Sequence, residues 1–131
     1  MKHRNFLAAA ALAMATCSVA QAATLGIVER NELAELVQTT GMTVYLTEYC
    51  NMPGAKQALI KAKAKEVMAF ASTQLQQAAS SYSFAYGNAK TRSATIPRDE
   101  DCKPTALHDL AENYATFVDA RLTPWKKLAG Q

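Results

Sequence analysis

Catalysis by side chains needs a nucleophile within reach of a base that is itself held in place. This chain of 131 residues offers few candidates for either role. Past residue 22 there is one histidine, His108, and two cysteines, Cys50 and Cys102. His108 sits in the first turn or two of an expected last helix, and Asp109 follows it. Consecutive helical side chains point apart, so His108 is read as a surface or packing residue. Among Glu29, Glu32, Glu35 and Glu48, the second and third are spaced to share a helical face. Ordinary solvated helices show the same spacing, and nothing beside the pair implies burial or a perturbed pKa. Two thiols and one histidine in no ligand spacing fall short of a zinc site. Neither a phosphate-cradling glycine loop nor a nucleophile elbow occurs. The expectation is a non-enzymatic protein with no metal and no cofactor.

Two groups of residues are candidate interaction surfaces. Lys56, Lys61, Lys63 and Lys65 crowd into ten positions. On a helix, Lys61 and Lys65 share one side while Lys56 and Lys63 share another, so the four flank an apolar stripe. Such a pattern suits an anionic membrane or an acidic partner, or simply keeps a helix in water. Trp125 with Lys126 and Lys127 combines an aromatic anchor with charge, which is an interface chemistry, although a lone Trp also closes the end of a small core.

The compartment follows from the N-terminus. Lys2, His3 and Arg4 precede an Ala/Leu-rich apolar run from Phe6 to Val19, and Ala20-Gln21-Ala22 places small residues where signal peptidase needs them. Ser18-Val19-Ala20 also satisfies that rule, so the cut falls within about two residues of Ala22. The run is shorter than the ~20 apolar residues of a membrane span. Cys17 follows Thr16, where a lipidation signal wants Gly, Ala or Ser. Residues 1–22 are thus expected to be a cleaved signal peptide, and 23–131 a single helical domain of 109 residues. Lys2 and Arg4 leave with the signal, so the bases fall from 14 to 12 against 11 acids, a net charge of +1. No argument for nucleic acid survives that correction. The periplasm of a Gram-negative bacterium is the expected location, with the extracellular space as the alternative.

In an oxidising compartment Cys50 and Cys102 are expected to form a disulfide. The loop it closes is long, and chain entropy assigns the crosslink about 4 kcal/mol.

The elements that carry these residues are helical. Leu33, Leu36 and Val37 predict a short amphipathic helix over 31–40, with Asn31 as its cap and Gly41 as its stop. Residues 42–49 have strand propensity in Thr43-Val44-Tyr45-Leu46-Thr47, but Val37, Val44 and Glu48 continue a helical spacing, and helix is favoured. After Asn51 and Pro53, the residues Ile60, Ala64, Val67, Ala71, Leu75, Ala78 and Tyr82 recur in steps of three or four as one apolar stripe.

A straight helix from Pro53 to Gly87 would be about 50 Å long. The fourteen residues back to Cys102 reach at most about 46–50 Å. A disulfide therefore requires the helix to stop or bend, near Ser80-Ser81 by this reading. Residues 82–101 are then expected to be a long irregular connection with turns at Gly87-Asn88 and Pro97. A last helix covers 104–122, and Thr123 caps a further turn that starts at Pro124.

The expected fold is all-α: about three main helices, one disulfide that joins the N-terminal ends of two of them, and a long 82–101 connection. The crosslink brings Asp99-Glu100-Asp101 toward Lys56. This outline, together with Trp125-Lys126-Lys127 near the C-terminus, is similar to that of the small periplasmic acid-stress chaperones, while the long Lys/Ala-rich helix departs from theirs. The expected function is binding or assisting another protein. The alternatives are a chaperone that exposes apolar helix faces in acid and a carrier of a small apolar ligand between the helices.

Overall fold

The computed structural model describes residues 24–131; the expected signal peptide at 1–22, with Cys17, lies outside them. The described chain is all-α. Four long helices, α1 (Ile27–Tyr49), α2 (Gly54–Gln74), α3 (Ala78–Ser93) and α6 (Leu110–Leu128), are joined by two single turns, α4 (Arg98–Asp101) and α5 (Pro104–Leu107). The count of about three main helices is therefore one short. The missing element is α3.

The first helix does not stop at Gly41. It runs through as one helix of 23 residues, buries Gly41 and ends at Tyr49. Glycine marks a close approach here rather than a stop. A Cβ on Gly41 would lie 2.6 Å from the Tyr82 carbonyl oxygen and 3.2 Å from the Tyr86 amide nitrogen, so the backbone of α3 crosses α1 at this point.

The strand-prone run after Gly41 stays helical because its hydroxyls are satisfied within the helix. Thr43 donates to the Thr39 carbonyl at 2.7 Å and Thr47 to the Thr43 carbonyl at 2.8 Å. Thr40, fully buried, shares a 2.8 Å hydrogen bond with the Tyr114 hydroxyl of α6. Packing on several sides then outweighs local propensity: α1 packs on α2 and α3, and α2 packs on α6.

The apolar stripe of residues 60–82 is real but is divided between two helices. Leu75 adopts an extended conformation (φ −126°, ψ 134°), which ends α2 at Gln74, and α3 begins at Ala78. The break that the disulfide demanded exists, five residues before the expected Ser80-Ser81. It is fastened from outside, because the Gln74 side chain accepts a hydrogen bond from the Leu25 amide at 2.9 Å. Leu25 is itself buried against the core. The expected irregular connection over 82–101 is overturned: α3 occupies it as far as Ser93, with Gly87-Asn88 inside the helix. The small residues Ala78 and Ala85 face inward and let α3 lie close to α1.

The last helix also differs from expectation. A single turn covers Pro104–Leu107, and α6 then continues unbroken to Leu128 with Pro124 in its interior. Pro124 removes a donor to the Ala120 carbonyl, and Ala120 is exposed, so that carbonyl is not left in a dry interior. Leu33, Val37, Ile60, Val67 and Val118 are fully buried and form the centre of the core, drawn from α1, α2 and α6. No helix among the described residues is long and apolar enough to cross a membrane.

Candidate functional site

Cys50 and Cys102 are paired, with their Cα atoms 5.4 Å apart. The crosslink joins the links that lead into α2 and into the single turn α5, as the sequence suggested, but each cysteine also closes the element before it. Cys50 caps the C-terminal end of α1 and Cys102 the C-terminal end of the α4 turn. It pins α4 beside the last turns of α1. Two further contacts hold the turn there. Arg98 donates to the Tyr49 carbonyl at 3.1 Å with its guanidinium 5.6 Å from the Tyr49 ring centre, and Ser93 donates to Asp101 Oδ2 at 2.9 Å.

Pinning α4 encloses a groove of about 370 Å³ between α1, α3 and α4. Its apolar side is Met42, Tyr45 and Leu46 of α1 with Ala89 of α3. These α1 residues stand at i, i+3 and i+4, one face of a helix. Its polar side is Asn88, Arg92 and Ser93 of α3 with Glu100 and Asp101 of α4. Among the described residues neither Arg92, Glu100 nor Asp101 takes part in an ion pair, although charges of both signs line the groove; Arg92 and Glu100 are exposed. Phe84, 68% exposed, stands one helical turn before Asn88 on the same side of α3, and Met42 is 44% exposed. Apolar surface thus extends beyond the groove along α3.

Tyr45 of the groove belongs to a cluster of four tyrosines. Tyr45 stacks on Tyr49 (ring centres 5.6 Å) and meets Tyr86 edge-on (5.3 Å), and Tyr86 stacks on Tyr82 (6.4 Å). The Tyr86 hydroxyl donates to Glu48 Oε2 at 2.7 Å. That bond to a carboxylate holds the Tyr86 proton and pushes its pKa up to about 12. Burial raises Tyr82, and burial also pushes Tyr114 up to about 12 although its bond to Thr40 works the other way.

The residues singled out from sequence are not gathered at this groove. Lys56 donates to the His108 carbonyl at 2.5 Å and lies 3.6 Å from Glu112. Glu112, not the acidic run 99–101, is therefore the carboxylate that Lys56 meets. Lys61 reaches Glu48 of α1 at 3.7 Å, and Lys63 reaches Asp119 of α6 at 2.8 Å, a bond that raises the Lys63 pKa. Three of the four lysines thus tie α2 to its neighbours. Lys65 is exposed and makes no ion pair among the described residues.

Trp125 is buried, with Lys127 exposed and Lys126 intermediate beside it. With Glu32, Glu35 and Phe117 it borders a smaller depression of about 170 Å³, where Arg121 takes Glu32 at 3.4 Å. His108 lies between α5 and α6 rather than inside a helix, so its Nε2 does come within 3.8 Å of Asp109 Oδ1; both side chains are largely exposed. No cluster of three or more His, Cys, Asp or Glu side chains that could hold a metal occurs among the described residues.

Of the groove residues, Arg92 and Tyr45 were not singled out from sequence as site residues, and Glu100 was named only in the acidic run expected to approach Lys56. One signal was present: Tyr45/Tyr49 and Tyr82/Tyr86 are both i, i+4 pairs, a spacing that predicts two aromatic ridges able to face each other. Compared with known protein families, curated proteins and solved structures, the chain matches none.

Proposed function

We propose that this protein is a small exported binding protein, not an enzyme, that engages another protein through the face formed by α1, α3 and α4. The observation that carries the reading is the groove, where charges that make no ion pair sit against an apolar wall that includes half-exposed Met42, with exposed Phe84 on α3 one helical turn from the groove's Asn88. Aromatic and Met residues are enriched at the core of protein contacts. The periplasm is the proposed location. A disulfide that supports the binding face suits an oxidising compartment.

Site-specific photo-crosslinking tests the reading. A crosslinker at Asn88 in the native compartment is expected to trap one discrete partner, and Ala89→Glu, which places a charge in the groove wall, is expected to abolish the product while circular dichroism stays helical. The absence of a discrete product, or one indifferent to Ala89→Glu, would count against it.

A second reading, a carrier of a small apolar ligand, is favoured by the groove volume, which falls within the range of ligand pockets. Native mass spectrometry that finds only unliganded protein after mild purification would exclude it. The acid-opened chaperone has less support. The carboxylates that tie the helices, Glu32, Glu48, Glu112 and Asp119, are 40–57% exposed, and exposed pairs contribute about 0–1 kcal/mol each.

A further inference from the structure

We propose that the groove receives the free amino terminus of a polypeptide whose first side chain is large and apolar. This rests on the protein-binding reading above and specifies what the partner presents. Recognition of an α-amino terminus requires three chemistries side by side: an anion for the ammonium, a donor for the first carbonyl oxygen, and an apolar wall for the side chain. The groove has all three. Glu100 is uncommitted, and Asp101 has engaged only Oδ2, with Ser93. The Arg92 guanidinium has no ion pair and offers paired N–H donors to a carbonyl. Met42, Tyr45 and Leu46 supply the wall.

Simpler ligands fit less well. Two carboxylates repel a bare anion. A purely apolar ligand strips water from Arg92 and Glu100 and returns no hydrogen bond, which is a net cost. A basic side chain satisfies the acids but leaves Arg92 without a partner. A volume of about 370 Å³ suits one residue and its backbone rather than a folded surface. Signal cleavage gives exported proteins new free amino termini, of which those beginning with a large apolar residue are the proposed class.

The probes are the peptide Leu-Ala-Ser-Gly-Ser with a free amino end, its N-acetyl form, the Ala-first analogue, and free L-leucine. They are titrated into the disulfide-bonded protein and followed by amide NMR shifts. The free-ended Leu peptide is expected to shift Tyr45, Ala89, Arg92 and Glu100. Acetylation or the Ala-first change is expected to weaken it by about tenfold, the loss of one charge-assisted bond or of most of one apolar contact. Glu100→Gln, at an exposed position, is expected to weaken the free-ended peptide similarly and leave the acetylated one unchanged. Equal affinity for the acetylated peptide, leucine binding as tightly as the peptide, shifts confined to another face, or no binding at all would each overturn the inference. A crosslinked partner that docks equally well with its amino terminus blocked overturns this inference alone. A bound peptide with no crosslinked partner overturns the protein-binding reading alone.

Discussion

Changing Gly41 to Ala and changing Gly87 to Ala are the same chemical edit inside two helices, and the structure assigns them opposite signs. Each exchange recovers about 1 kcal/mol of helix propensity, because alanine loses less backbone freedom on folding than glycine. At Gly87 a new Cβ meets nothing within 4 Å, so the gain stands and the variant should be more stable by about 0.5–1 kcal/mol. At Gly41 the new Cβ falls 2.6 Å from the Tyr82 carbonyl oxygen, with the Tyr86 nitrogen at 3.2 Å and the Ala85 Cβ at 3.3 Å. Two of these three neighbours are backbone, so no side-chain rotation relieves the clash; α3 itself must move away from α1. Overpacking of this kind costs about 1–3 kcal/mol, and with a backbone atom so close the upper half of that range applies. Against the propensity gain, Gly41→Ala should lose about 1–2 kcal/mol net. Urea unfolding of both variants and the parent, with the disulfide intact, reads the difference at constant m-value. Because α3 carries Arg92 and Ala89, the groove should widen, and the NMR shifts of those residues should change in Gly41→Ala but not in Gly87→Ala. Equal stability of the two variants, or a stabilised Gly41→Ala, would refute the claim that α1 and α3 meet through this glycine.

The other expectations concern the crosslink, the buried hydroxyl pair and the tyrosines. Replacing both cysteines by serine should cost about 4 kcal/mol by chain entropy, and hydrogen exchange should accelerate over 94–103 more than in α2, because α4 keeps only its Arg98 and Asp101 contacts. Thr40→Val leaves the buried Tyr114 hydroxyl without its partner and should cost about 1–3 kcal/mol in urea unfolding, while adding Tyr114→Phe should recover part of the loss. In alkali, folded-state pKa values raised to about 12 for Tyr86 and Tyr114 mean that the unfolded chain, with tyrosines near 10, releases protons first. Their stabilisation is therefore complete below about pH 10 and is lost as pH rises toward 12, by about 2–3 kcal/mol for the buried Tyr114 and less for the more exposed Tyr86. A rapid phenolate titration at 295 nm checks this, and five tyrosines ionising together near pH 10 would contradict it.

The helical class, the apolar stripe of α2 and the cysteine pairing were legible in the residues, because a 3.6-residue period and an even thiol count are local signals. The geometric conflict between one straight helix and the disulfide correctly required a break after α2. It could not place that break at Leu75, since the contact that fastens it, Gln74 with Leu25, spans 49 residues. Residues 82–93 were misjudged as irregular. Their Ser, Asn and Gly composition disfavours a helix in isolation, and what stabilises α3 is close packing on Gly41 and Tyr45 of another helix.

The site divides in the same way. Single residues and their spacing determined that the chain is helical and crosslinked between Cys50 and Cys102. They also marked the lysines, whose charge is obvious from sequence while their partners are not. Tertiary structure alone decided that Lys56, Lys61 and Lys63 are tied to carboxylates of other helices, while Arg92 and Glu100 are left facing a groove. The physical reason is distance along the chain. A charge is neutralised, or left available, by whatever folding brings within about 4 Å of it, and those neighbours lie tens of residues away in sequence.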